Sequence, residues 1–497
     1  MNRFGSKARK AALLLALPPL LFLSGITQRQ MNLQRVNMGI TRGVPLGQAA
    51  PPVLAFTTVA LGGFRGLIAN ALWIRAMELQ DEDKYFEKVQ LTDWITKLQP
   101  RIVTVWVVQA WDMAYNISIK FSDPRDRWRW VERGISLLRD EALKYNPDEP
   151  LIYRELGWIF QHKIGRELDD AHLFFKEQWA REMAAVLQTT NYMALIDPQT
   201  DDEKERARIL REKYKLDPLH MKQVDEEYGP LEWRLPETHA IYWATLALQR
   251  AKQQEQITLR REIYQPLQLA FQRGRLIEIV VGTNKTYRTA PNLALIPNAN
   301  KGYEKMMAED AEYRAHIATA HKNFLKDAVY FLYTSNRRAD AQHWFDYLLS
   351  NYPDVQVLDE RDPSNSTPNV ADMTLDEYCV VRATDLLDDT SQVKIQLDIE
   401  GFLLTSYANL ATGATDEAAG YLLLANKVWT WYQEKTSGQR ERLELPSMEL
   451  LKEEALNQFR RDYHPVLVEQ LYNKLGRPLP AETPPSSPPT NAPAGVP

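Results

Sequence analysis

Residues 153–160 read Tyr-Arg-Glu-Leu-Gly-Trp-Ile-Phe, and the same kind of pattern stands 47 residues earlier. That interval carries Pro100 onto Pro147, Trp106 onto Tyr153, Ala110 onto Gly157 and Trp111 onto Trp158. An interval that recurs over proline, aromatic and small positions marks an internal repeat. Its physical content is a pair of antiparallel helices. The aromatic fills the space between them, the small residue one turn later lets backbones approach, and the proline ends the unit. Gly157 is accordingly expected to face the partner helix of its own pair.

Tyr153, Leu156, Gly157 and Phe160, followed by Ala171 and Phe175, resemble the tetratricopeptide repeat pattern W-x2-L-G-x2-Y, then A-x3-F, then P. Tyr stands for the Trp, the turn between helices is about two residues longer than that pattern has, and no proline closes this unit. Further along, Ala341 and Phe345 followed by Pro353 fit the second half of the pattern, with Leu325, Ala328 and Leu332 on the leading helix. The resemblance implies an all-α solenoid of antiparallel helix pairs, a fold that offers a continuous surface to a protein or peptide partner.

The composition agrees with a globular chain. Of 497 residues, 44% are hydrophobic and 25% charged, and the net charge of −5 does not point to nucleic acid. The charge is unevenly spread: no Asp or Glu precedes Glu78, whereas Arg3, Lys7, Arg9, Lys10, Arg29, Arg35, Arg42, Arg65 and Arg75 all do. A basic region at 1–10 followed by an apolar run is the layout of a signal anchor. A transmembrane helix is therefore expected at 11–27, a stalk at 28–59, and the repeats outside the cytoplasm, on the periplasmic side. A second apolar stretch, 52–74, would make a membrane hairpin if Arg65 were tolerated. The favoured expectation is that Phe64, Leu67, Ile68, Ala71, Leu72 and Ile74 form the buried face of the first leading helix. The lone Cys379 excludes an intrachain disulfide and reads as a core residue.

Three helix pairs are expected over 60–186. Asp123-Pro124 stops one helix and starts the next. An irregular, mostly helical insert is expected over 187–310, with a charged helix at 201–215 and a short β-hairpin built on 276–281 and 286–289. Repeats resume over 311–475, with a polar loop at 354–372, a pair turning at Gly413 and one capping helix over 449–475. The Pro-rich tail, 476–497, is expected to lack order.

No nucleophile elbow, phosphate loop, zinc-protease or dinucleotide motif occurs, so no catalytic residue, cofactor or metal ligand is assigned. His316 and His321 are five apart and do not share a helix face. The segment with Trp233, Arg234, Glu237, His239, Tyr242 and Trp243 mixes charge with aromatics and is the candidate site for a polar ligand; the alternative is that its tryptophans fix the insert onto the repeats. Thirteen Trp and 22 Tyr are present, with Trp73, Trp94, Trp106, Trp111, Trp128, Trp130, Trp158 and Trp179 crowded into the first three pairs. Those not in the core are suited to line a groove. Two functions follow: a membrane-anchored scaffold for a protein partner, or an envelope enzyme or carbohydrate-binding protein whose site lies in 187–300.

Overall fold

The computed structural model describes residues 64–480, apart from 189–191, 253–255, 282–283, 358–368, 385–391 and 437–444, with a few residues among the first 34. The anchor expected at 11–27, the stalk at 28–59, the centre of the polar loop and the tail beyond Pro480 fall largely or wholly outside the described residues. Among the described residues no helix is long and apolar enough to cross a membrane. The chain forms two compact units, residues 1–100 and 101–497, and the fold is all-α with one two-stranded sheet among the described residues.

In the first unit, α1 (Phe64–Asp81) and α2 (Tyr85–Leu98) pack as a hairpin. Asp83 takes a left-handed conformation, φ 59°, to make the tight turn. The expected inward face is corrected: Leu67 is 67% exposed, and Ile68, Ala71 and Ile74 are exposed as well. The buried line of α1 is Ala69, Ala76 and Leu79. Small residues seven apart let α2 approach closely, and that turns the bulky apolar residues outward. On α2 only Ile95 of the expected large residues is fully buried, beside Lys88, Thr92 and Thr96.

The second unit opens with α3 (Val103–Trp111), which runs on through a π-helical turn, Asp112–Ile117. Next come α4 (Pro124–Ser136), α5 (Pro150–Trp158), which runs into a second leading-helix π turn, Ile159–Gly165, and α6 (His172–Leu187). The two π turns begin 47 residues apart, so the repeat extends to the backbone irregularity as well as to the side chains. Asp123 caps α4 by accepting from the Arg125 amide at 2.8 Å, with Pro124 in the first turn. The repeat residues Trp106, Ala110, Tyr153, Leu156, Gly157, Phe160, Ala171 and Phe175 are all buried, as are Ala341 and Phe345.

Gly157 corrects its expectation. A Cβ there would lie 3.1 Å from the Ala240 carbonyl oxygen and 3.6 Å from the Ala244 nitrogen, both on α9 (Pro236–Arg250). The close approach is thus to a helix some 80 residues on, and not to α6. Within a pair, the close approach falls instead at Gly134 of α4, whose Cβ would stand 2.9 Å from the Ala110 carbonyl oxygen.

Between α6 and α9 lie α7 (Asp201–Glu212), which starts with a Thr200–Glu203 capping box, and α8 (Pro218–Tyr228). The helix α9 packs along α5 and pairs with α10 (Gln256–Arg273). The 236–273 pair is therefore a regular antiparallel helix pair packed on α5, within the stretch expected to be irregular. Strands β1 (Arg275–Val281) and β2 (Asn284–Ala290) follow, antiparallel, with Arg275 opposite Ala290.

The remaining helices are α11 (Ile296–Glu309), α12 (Arg314–Thr334), α13 (Arg338–Asn351), α14 (Leu375–Thr384), α15 (Gln392–Thr412) and α16 (Thr415–Lys435). The single capping helix is corrected to two, α17 (Met448–Asp462) and α18 (Pro465–Leu475). Pro465 offers no amide to continue α17 and suits the first turn of a new helix. Both pack on α15, with Phe459, Leu456, Val468 and Leu471 around Ala411.

Candidate functional site

The structure places the sequence-predicted segment in the interior. Trp233, Glu237, His239, Tyr242 and Trp243 are each no more than 2% exposed, and the Arg234 side chain is nearly covered, held by Glu232 through two bonds of 2.8 and 2.7 Å. Most of their polar atoms are spent on the protein itself, and His239 Nδ1 is buried without a partner among the described residues. The Trp233 indole donates to Asp225 at 3.3 Å, which also receives the Tyr192 hydroxyl at 2.9 Å and the Leu231 amide at 2.8 Å. The Tyr242 hydroxyl accepts from the Asp217 amide at 2.9 Å. Glu237 pairs with Arg273 at 2.9 Å, and Arg273 also donates to the Gly165 carbonyl and to Glu167.

His239 stands edge-on to Trp179, ring centroids 4.9 Å apart, with Phe160 and Trp233 beside it. Its Nε2 lies 2.8 Å from the Trp233 carbonyl oxygen, so Nε2 carries the proton and donates. Burial pushes its pKa down to about 4, the bond to Trp233 opposing only in part. A neutral histidine in an aromatic box, tying α9 to α5 and α6, is a packing device. The segment does not form an open ligand site.

A different aromatic group reaches the surface. Trp111 and Tyr115 on the first leading helix correspond, at the 47-residue interval, to Trp158 and His162 on the second. Trp111 stacks on Tyr115 with centroids 4.1 Å apart, Tyr115 meets His162 at 5.7 Å, and His162 stacks on Trp158 at 4.7 Å with planes 13° apart. The four rings make one continuous strip across two neighbouring helices. Trp111 is 39% exposed, and the other three are half-buried. The π turns account for the stacking: in an i→i+5 turn the side chain four residues on falls short of a full revolution and lies over its predecessor. Such turns are frequent at functional sites.

The strip is electrically quiet. Burial, with the Glu155 charge adding to it, pushes the Tyr115 hydroxyl well above its usual range. Burial, then the charges of Arg166 and Lys163, push the His162 imidazole down, so it is neutral at pH 7. Beneath the rings, the Lys163 ammonium lies 5.3 Å from the Tyr115 centroid and 2.5 Å from Asp169, and Asp169 also takes Arg127 at 2.6 Å. This buried pair network fixes the floor of the strip. The Trp158 indole acts as a hydrogen-bond donor to the Tyr115 hydroxyl, and among the described residues His162 Nδ1 is buried without a hydrogen-bond partner.

One end of the strip is acidic. Glu155 accepts from Arg154 at 2.5 Å, and Arg154 Nε stands 3.7 Å from Glu262 of α10. Burial pushes the Glu262 carboxyl up to about 8; Glu155 adds to this and Arg154 opposes it. Gln161 donates to Gln265 at 2.8 Å and joins α5 to α10 at the same place. Glu262 Oε2 and Gln161 Oε1 are buried without partners. Arg154 Nε, beside Glu262, is likewise buried without a hydrogen-bond partner among the described residues.

Sequence reasoning used Trp111 and Trp158 as repeat markers and did not place them in the site, although the recurring Trp-x3-Tyr and Trp-x3-His spacing is visible there. Glu262 carries no such signal, because its place beside Arg154 depends on α10 lying against α5. Among the described residues no group of His, Cys, Asp and Glu is arranged to hold a metal ion. Cys379 is buried, its thiol pushed upward by burial, and not an exposed nucleophile. No protein-family model, curated protein or solved structure matches this chain.

Proposed function

We propose that the chain is a tetratricopeptide-like helical-repeat scaffold, held in the membrane by residues 11–27, that binds a protein or peptide partner outside the cytoplasm. The 47-residue recurrence and the stacked helix hairpins support the architecture, and the basic opening followed by an apolar run supports the anchor. The observation that carries the function is the strip of Trp111, Tyr115, His162 and Trp158, four rings in contact across two neighbouring helices with Trp111 exposed and His162 Nδ1 unpaired among the described residues. Rigid aromatic faces with unspent polar atoms are what an interface uses to hold an extended segment. The burial of Trp233, His239, Tyr242 and Trp243 weighs against the alternative site in 187–300.

The test is capture of partners by the detergent-solubilised chain, compared with the double variant Trp111→Ala, Trp158→Ala. Partners recovered with the native chain and lost with a variant of unchanged melting support the reading. Partners retained by the variant, or none recovered by either, overturn it. A reporter active only outside the cytoplasm, fused after Pro497, tests the topology separately and should be active.

A further inference from the structure

Resting on the proposed membrane anchor, we infer that the first three turns of α1 lie in the lipid interface of the bilayer, with the face of Leu67, Ile68, Ala71 and Ile74 turned into lipid and α2 behind it.

Leu67, Ile68, Ala71 and Ile74 share one side of the helix by their spacing, and all four are exposed, Leu67 by 67% and Ile74 by 56%. Single exposed apolar side chains are ordinary, but a contiguous set marks a surface that meets something other than water. Beyond Ile74 the character changes at once. The exposed residues of α1 are then Arg75, Glu78, Gln80 and Asp81, and Glu82, Asp83 and Lys84 follow in the turn. Phe86 is a lone exposed apolar residue at that end. The exposed surface of α1 is thus apolar at its start and charged at its finish. A boundary between lipid and water crossed obliquely imposes that division, because charge inside the hydrocarbon is costly.

The chain that leads into α1 identifies lipid as the occupant. Residues 43–74 hold a single charged residue, Arg65, in a chain that is 25% charged and would carry about eight over that length. The stretch outside the described residues therefore delivers uncharged chain directly to the exposed apolar face. The helix dips into the membrane without crossing it. No described helix can cross, and the rise from Phe64 to Ile74 is about 15 Å, half of a hydrocarbon core of about 30 Å. The far end of α2 stands beside the start of α1, since a Cβ on Gly66 would lie 3.8 Å from Gln99 Nε2. Near that end the Trp94 indole is 47% exposed, a side chain suited to the headgroup level. The Lys97–Asp93 pair at 2.6 Å, with Lys97 exposed, keeps the outer side of α2 in water and leaves α1 as the lipid side.

The experiment places one fluorescent label at a time on the full chain in phosphatidylcholine vesicles. Cys379, the only cysteine, is replaced by alanine, and Leu67→Cys, Ile74→Cys and Glu82→Cys each carry a nitrobenzoxadiazole group. Lipid spin-labelled at carbon 5 of its acyl chain should quench the label at 67 at least about twofold, the label at 74 less, and the label at 82 not at all. The order should persist at about 1 M salt, because the contact is apolar and not ionic. Ala71→Glu should at least halve the quenching at 74 with melting unchanged, by drawing the face out of lipid. No quenching at 67 and 74, equal quenching at all three positions, or loss of quenching in salt overturns the inference. So does an unquenched Leu67→Cys chain that forms disulfide dimers, which would make a second copy the occupant. If the chain floats with the vesicles while all three labels stay unquenched, the anchor stands and only the α1 assignment fails. A chain that does not float overturns both.

Discussion

Two aromatic groups of similar composition meet opposite fates. Trp233, His239, Tyr242 and Trp243 are walled in, because α9 lies along α5 and is paired with α10. Trp111, Tyr115, Trp158 and His162 occupy leading helices too, yet Trp111 is exposed and the other three are only half-buried. In the first group the polar tips are largely paired with backbone and carboxylates, His239 Nδ1 excepted; in the second the Trp158 indole meets the Tyr115 hydroxyl and His162 Nδ1 is unpaired among the described residues. Aromatic content therefore does not distinguish core from binding surface. The number of neighbouring elements that cover a face does.

The largest expected effect separates the two groups directly. Trp233→Ala removes a fully buried side chain and leaves a cavity, which costs about 3–5 kcal/mol. Trp111→Ala, on a residue 39% exposed, should cost far less. Similar losses in chemical denaturation would abolish the distinction between core and surface.

The next concerns protons. His239, held at a pKa of about 4 against an ordinary 6.5, stays neutral in the folded chain while the unfolded chain takes up a proton. Its contribution is fully present above pH 6.5 and is lost as pH falls toward 4, by about 3 kcal/mol at most at 1.36 kcal/mol per pKa unit. His321, also pushed to about 4 by burial, adds to the same acid loss. In melting from pH 7 down to 4, His239→Gln should flatten the curve. His162→Gln, on the half-buried strip, should flatten it less. The reverse order would place His162 in the core.

Gly157→Leu tests the contact on which the enclosure of α9 rests. A side chain there meets the α9 backbone at Ala240, so overpacking should cost about 1–3 kcal/mol. The companion change Ala240→Gly should not relieve it, since the clash is with a carbonyl oxygen. Full rescue would show that the approach involves side chains instead.

The last concerns Glu262. Its raised pKa means that the folded chain resists ionisation, so this group favours folding below pH 4.5 and the advantage is lost as pH rises through about 8. Glu262→Gln should then melt close to the native chain at pH 5 and clearly above it at pH 9, by about 5 kcal/mol at most at 1.36 kcal/mol per pKa unit. A lower melting temperature at pH 9 would mean that the carboxylate is needed for the fold.

Much of the repeat region was legible because periodic contacts leave periodic residues. Trp106, Tyr153, Leu156, Phe160 and Phe175 fill the space between paired helices, and that requirement recurs at the repeat interval. Pro465 was legible too, though its consequence, a break between α17 and α18, was passed over in favour of one long helix. On α1, apolar spacing misled: Leu67, Ile68 and Ile74 look like a buried face, but the alanines set the approach distance and so decide which side goes inward. The candidate site was misplaced for a related reason. A mixed charged and aromatic segment reads the same whether it lines a groove or is enclosed by helices.

The sequence by itself determined the all-α fold, the 47-residue unit, the capped helix start at Asp123, and the short hairpin after Gly274. These follow from local rules of periodicity, capping and chain stiffness, which act within a few residues. Only the tertiary structure decided that Gly157 meets α9, that the Trp233 to Trp243 segment is enclosed, and that Glu262 joins Glu155 and Arg154 beside an open aromatic strip. Those facts depend on which helices become neighbours across 80 to 100 residues of chain, and burial and desolvation, which set both exposure and proton affinity, exist only once the neighbours are in place.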